Sequence, residues 1–179
     1  MIGLSRSSVQ VVAYQPEWAE SFRREADRLR ATLGTAIGRI EHVGSTSVPG
    51  MVAKPIVDMI AAVERLSFAS TLVPVLESLG YEHRPNDPVP SRLFFALGPR
   101  ALRTHHLSLA EVTSGFWHDH IAFRDYLLAN WRVAEEYASL KQRLAAQFAQ
   151  DRPSYTAAKG TFIAQIVAMW EETPNKRME

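Results

Sequence analysis

The chain has 179 residues, 46% hydrophobic and 22% charged, with a net charge of +1 at neutral pH. That composition supports a real core, argues against extended disorder, and gives no general drive toward nucleic acid or a membrane surface. The absence of cysteine excludes disulfides and thiolate metal sites. With no apolar h-region in MIGLSRSSVQ and no run of about 20 apolar residues, a soluble cytoplasmic protein is expected.

In chain order, residues 9–14 read as a short strand or extended arm. Pro16 opens a helix in which Trp18, Phe22, Ala26, Leu29 and Leu33 recur at helical spacing, with Glu17 and Glu20 in its first turn and Gly34 as its stop. That stripe reads as core. Residues 39–43 and 56–63 read as strands, the second buried. Residues 68–79 read as a helix that Pro74 kinks or shortens, closed by Gly80. Residues 81–83 make a short strand, and Pro85, Pro88 and Pro90 turn the next stretch into a loop or an incompletely paired edge. Residues 93–97 and 104–109 read as strands joined through Gly98-Pro99-Arg100, too close in sequence for every connection to be a helical crossover. Helices are expected over 117–129, 133–148 and 153–171, with Asp151 and Ser154 as candidate caps. The order predicts an α/β (α+β) fold. A mixed-sheet core spans 9–115, an α-helical C-terminal portion over 116–172 packs on it as one compact unit, and 173–179 is a polar tail.

The most informative stretch is Ile40-Glu41-His42-Val43-Gly44-Ser45-Thr46-Ser47-Val48-Pro49-Gly50, followed by Lys54-Pro55-Ile56-Val57-Asp58-Met59-Ile60. A Gly-Ser turn lets backbone N–H groups and hydroxyls approach a phosphate. Gly44, Ser45, Thr46 and Ser47 are therefore a candidate phosphate cradle, or a plain turn. Asp58 stands alone in an apolar strand, where a carboxylate is costly without a cation or donors. It reads as a site residue that can hold a divalent cation, or as half of an ion pair with Lys54 or an arginine. Lys54, extended by the following Pro55, can place its ammonium near the cradle or against Asp58. Strand parity separates the two late histidines: His106 shares a face with Thr104 and Ser108, and His105 with Leu107 and Leu109. His106 is thus the cleft candidate, as metal ligand, acid or base, and His105 the core one. Arg92, Arg100 and Arg103 flank these strands and can grip a polyanion by bidentate contacts, or stand as solvated edge charges, the reading favoured for Arg100. Arg124 and Lys159 are candidate cations on the helical part; for Arg124, periodicity alone favours a structural ion pair in the neighbourhood of Asp125. His118 and His120, two apart on a helix, point in different directions and do not share a metal.

These motifs resemble the GrpB family in order over about 12–168. The resemblance runs from Tyr14-Gln15-Pro16-Glu17-Trp18 through the cradle and Asp58 to Leu79-Gly80-Tyr81, Arg92-Leu93-Phe94-Phe95 and Thr104-His105-His106-Leu107. It closes with Phe123-Arg124-Asp125-Tyr126-Leu127, Tyr137, Leu140-Lys141, Asp151-Arg152, Tyr155-Thr156 and Lys159. It implies a nucleotidyltransferase-like core, in which a Gly-Ser turn precedes a carboxylate pair on the next strand and two metals drive transfer. Gly44-Ser45 matches the turn and Asp58 the first carboxylate; Ile60 stands at the second, and histidines stand where a third is expected. Ser108 occupies a position where relatives usually carry histidine. In some relatives the module is fused to dephospho-coenzyme A kinase. The implied function is metal-dependent nucleotidyl or phosphoryl transfer to a small acceptor. Asp58, His106 and Lys54 would be catalytic, and Asp58 with His106 would hold Mg²⁺ or Mn²⁺. Gly44, Ser45, Thr46, Ser47, Arg92, Arg124 and Lys159 would bind the nucleotide or phosphorylated small molecule. The alternative is a protein that binds such a ligand without chemistry. Neither nucleic acid nor membrane is an expected partner.

Overall fold

A computed structural model describes residues 2–5 and 9–172; the tail expected over 173–179 lies outside the described residues. The strands are β1 (Ile40–Val43), β2 (Val57–Val63), β3 (Tyr81–His83), β4 (Leu93–Leu97) and β5 (His105–Glu111). They form one sheet in the order β1-β2-β5-β4-β3. Only β2 and β5 run parallel; the other neighbours are antiparallel, so the sheet is mixed. The parallel pair is permitted by the long excursion between β2 and β5, which carries β3 and β4 to the far edge.

The helices are α1 (Glu17–Leu33), α2 (Leu66–Ala69), α3 (Val73–Ser78), α4 (Gly115–Ala129), α5 (Trp131–Gln147), α6 (Arg152–Ala158) and α7 (Gly160–Glu172). Two expected helices are each divided. The helix read over 68–79 is α2, a 3₁₀ turn over Ser70–Leu72, and α3. Pro74 lies in the first turn of α3, where its missing N–H leaves no ladder bond unmade. The helix read over 153–171 pauses at Lys159 before Gly160, the residue with the least helical preference in that stretch. Ser114 caps α4 by accepting from Trp117 N–H, and Asp151 caps α6 by accepting from Ser154 N–H. Residues 9–14 are an extended arm, tied by Val12 to Ala53 and by Val9 to Ala149.

One sheet face packs on α1 and α3. Trp18, Ala26, Leu29 and Leu33 meet Met59, Phe95, Leu107 and Leu76 there, with Phe22 half-buried at the margin. The other face lies under the C-terminal helices: Val43, Ile60, Ala62 and Ala110 pack against Trp117. Val48 and Met51, from the loop after β1, enter the helical core beside Phe123, Leu127, Tyr137 and Ile166. The loop that carries the Gly-Ser turn therefore also anchors the helices above it. Among the described residues no helix is long and apolar enough to cross a membrane.

Burial identifies the opening. Every residue of β2 is buried except Asp58. In β5 only His106 and the terminal Glu111 are partly open. Asp58 and His106 are register partners across the parallel pair, so the two breaks coincide.

Candidate functional site

Above those two residues is a cavity of about 520 Å³ between the sheet and the helices. Gly44, Ser45, Thr46, Lys54, Asp58, Arg92, His106 and Lys159 all line it. Of the candidates read from the sequence, Ser47 and Arg124 do not. The Ser47 hydroxyl turns back to donate to the Gly44 carbonyl at 2.6 Å and closes the turn. Arg124 donates to Glu41 at 2.8 Å, Asp125 at 2.7 Å and the His42 carbonyl at 3.1 Å. It clamps β1 to α4 instead of lining the cavity.

Gly44 has φ 70° and ψ −169°, a conformation that strains any residue with a Cβ. Its missing side chain also makes room for the acid: a Cβ there would lie 2.9 Å from Asp58 Oδ2. Thr46 Oγ1 is paired with His42 Nε2 at 2.9 Å. Burial holds the His42 imidazole down at about 4, so it is neutral. Ser45 is the cradle hydroxyl that meets the helices, hydrogen-bonded to Tyr137.

Asp58 and His106 form the centre. His106 Nδ1 and Asp58 Oδ1 are 2.8 Å apart. The Asp58 side chain is 45% exposed and lines the cavity. Desolvation pushes its carboxyl up, but the His106 hydrogen bond and the charges of His106, Lys54 and Lys159 together bring it down to about 2. Asp58 is thus an anion at every ordinary pH. His105 points the opposite way, its Nε2 3.0 Å from Ser21 of α1, as strand alternation predicts.

The remaining wall is cationic. Lys54, Arg92, Lys141, Arg152 and Lys159 line the cavity, against the two carboxylates Asp58 and Asp119. Lys54 and Lys159 lie over the Tyr155 ring, at 5.4 and 4.5 Å. Lys141 lies over Tyr137 at 4.6 Å and donates to the Val52 carbonyl. Burial is the main cause that lowers all three ammonium groups, and their mutual repulsion and that of Arg152 add to it. Lys54 falls to about 7, Lys141 to about 6 and Lys159 to about 8. Arg92 is different: it holds Asp87 with two hydrogen bonds of 2.7 and 2.8 Å, donates to Ser108 at 3.1 Å, and stacks on Phe94. Its charge is matched, so it shapes the wall more than it attracts a ligand.

Sequence reasoning assigned none of Tyr137, Lys141, Arg152, Tyr155 or Thr156 to the site. A signal was present. Residues 152, 155, 156 and 159 fall at helical spacing on one face, as do 137 and 141, and these faces are cationic and aromatic in place of apolar.

The residues do not fit the two-metal arrangement of the wider fold. Ile60, at the second carboxylate position, is fully buried in an apolar cluster. Asp58 Oδ1 is already engaged by His106. Among the described residues, no three histidine or acidic side chains are grouped to hold a metal ion.

A family model described as GrpB protein matches residues 8–169. The chain is 33% identical to glutamate-rich protein GrpB of Alkalihalophilus pseudofirmus over 171 residues, covering 93% of this chain and 98% of that protein. It is 36% identical to the UPF0157 protein YqkA of Bacillus subtilis over 158 residues, covering 88% of this chain but only 46% of YqkA, so it spans less than half of that relative. The crystal structure of conserved protein GrpB from Enterococcus faecalis superposes with a TM-score of 0.83 at 34% identity, covering 90% of this chain and 96% of that one. The Cid1 poly(U) polymerase bound to Mg 3′-dATP aligns with a TM-score of 0.55 at 15% identity over 83% of this chain and 49% of that one, which shows a shared nucleotidyltransferase-like fold.

Proposed function

The chain belongs to the GrpB family, and from that premise we propose that it binds a nucleotide or similarly phosphorylated small molecule in the cavity and transfers a phosphoryl or nucleotidyl group from it to a small acceptor. The observation that carries this reading is the convergence of Lys54, Lys141, Arg152 and Lys159 with the Gly44-Ser45 turn on one cavity that also contains the Asp58–His106 pair. Lysines drawn together into one cavity favour a polyanion, because its phosphates supply the negative charge that stabilises their ammonium forms.

In this reading the phosphates lie between the turn and the α6 cations. Asp58 holds the His106 ring through Nδ1, and Nε2 takes the proton from the acceptor as its oxygen attacks phosphorus. The leaving phosphate departs with the bonding electron pair, and Lys54 and Lys159 neutralise the charge that develops. A Mg²⁺ or Mn²⁺ brought with the nucleotide would take most of its ligands from phosphate oxygens and water, with Asp58 as a nearby carboxylate.

The test is calorimetric titration of ATP with and without Mg²⁺ or Mn²⁺, followed by a product assay over a panel of small acceptors. The expected result is binding with release of ADP or pyrophosphate. No binding overturns the proposal. Binding without turnover supports the second reading, a non-catalytic nucleotide-binding protein, which Ile60 in the place of a carboxylate favours.

A further inference from the structure

A second cavity, of about 880 Å³, opens between the β3–β4 edge and α6. It shares Phe94, His106, Arg152 and Thr156 with the first. The two spaces therefore meet at the residue assigned above to proton transfer. One wall of the second is an arginine cluster around a single acid. Glu82 is approached by Arg84 at 2.7 Å, by Arg100 at 3.7 Å, and by Arg103, whose side chain is only 4% exposed. Arg103 is fixed in place by further donation to the Gly98 carbonyl. Three guanidinium groups share one carboxylate, so the wall carries excess positive charge. The other acid of the lining, Asp87, is taken by Arg92.

We propose that this second cavity is the acceptor subsite, taking a small molecule that carries a carboxylate or phosphate group. Arg84 and Arg100 hold that anionic group, and the acceptor's hydroxyl reaches His106 at the junction. Planar guanidinium donors suit either anion, and Glu82 preorganises them. The inference rests on the transfer reading above and adds to it a location and a charge for the second substrate. In the step, the acceptor O–H bond breaks and its proton goes to His106. The new O–P bond forms, and the bond to the leaving phosphate breaks with the electron pair on the leaving group.

The experiment is an amide NMR titration with inorganic phosphate, run on the free protein and on protein saturated with ATP. With ATP present, phosphate is expected to shift the amides of Glu82, Arg84 and Arg100. The Arg84→Gln/Arg100→Gln double variant should weaken this phosphate binding by roughly tenfold or more, with ATP affinity within about threefold. Both side chains are partly or largely exposed, so the variant keeps its fold, which its spectrum verifies directly. Shifts that are absent, or that survive in the double variant, overturn the proposal. Failure of ATP to move the Gly44 and Ser45 amides instead overturns the nucleotide reading. In that event the free-protein titration still decides the anion subsite by the same two criteria.

Discussion

Asp58 is the residue on which the proposed chemistry turns, and two substitutions separate what it does. Asp58→Asn removes the charge that His106 engages at 2.8 Å while keeping the shape. If Asp58 orients His106, turnover should fall by about 10²–10⁴ while ATP binding holds or tightens, since a negative charge has left an anion site. A principal role as metal ligand predicts the reverse for binding: Mg-dependent affinity drops. Calorimetry with and without Mg²⁺, beside the product assay, distinguishes the two. Gly44→Ala approaches the same atom from the turn. The new Cβ would sit 2.9 Å from Asp58 Oδ2 at φ 70°, so the carboxylate must move. A loss of about 1–2 kcal/mol in urea unfolding is expected, together with reduced turnover. The sequence made Asp58 visible, as the one acid in an apolar run. The family resemblance paired it with His106 as a joint metal site; their direct hydrogen bond follows from the register of β2 and β5, which no sequence pattern gives. Ser47 fails for a similar reason: membership of a hydroxyl-rich turn does not say which hydroxyl closes the turn and which faces a ligand.

At the level of elements, strand parity and apolar periodicity carried most of the information, since both are properties of the chain itself. They located the five strands found among the described residues and the stripe of α1 that fills the core. What they could not give was the direction in which a polar helix side chain points once helices pack. For Arg124 the sequence favoured an ion pair near Asp125, which the 2.7 Å contact bears out, but it did not show the reach to β1. Arg124 lies on α4 near the cavity, yet its guanidinium spans to β1 and fixes the strand that leads into the Gly-Ser turn. Arg124→Ala should therefore act on stability. It leaves Glu41 and Asp125, which are only 27% and 32% exposed, without their cation. Loss of charged hydrogen bonds of this kind costs about 2–3 kcal/mol. The check is denaturant unfolding together with ATP titration: a lower midpoint with affinity within about threefold is expected. A large affinity loss at unchanged stability would return Arg124 to the binding site. The face of α6 is the converse case, a legible helical pattern of Arg152, Tyr155, Thr156 and Lys159 whose meaning depends on α6 lying over the sheet.

The molecule as a whole holds three buried or half-buried lysines around one cavity, and this has a consequence for its response to pH. Lys54, at about 7 in the folded chain, has an ordinary value of 10.5, and Lys141 and Lys159 are lowered in the same sense. Between roughly pH 7 and 10 the unfolded chain thus holds more protons than the folded one, so these groups make stability rise with pH across that window. Asp58 acts at the other end: lowered from 3.8 to about 2, it contributes stability above pH 4 that is lost as pH falls toward 2. Thermal unfolding of the free protein should therefore move to higher temperature between pH 7 and pH 9. A polyphosphate bound among the same lysines reverses their bias, because its charge favours the ammonium forms. Binding at pH 8 then draws protons from solution, mainly through Lys54 and Lys159, since Lys141 is fully buried against Val52 and Tyr137. Calorimetry of ATP binding in buffers of different ionisation enthalpy reads this uptake directly. About one proton per ATP is expected, with affinity declining from pH 7 to pH 9. A buffer-independent heat with pH-independent affinity would mean that the phosphates do not lie among these lysines, even if ATP binds.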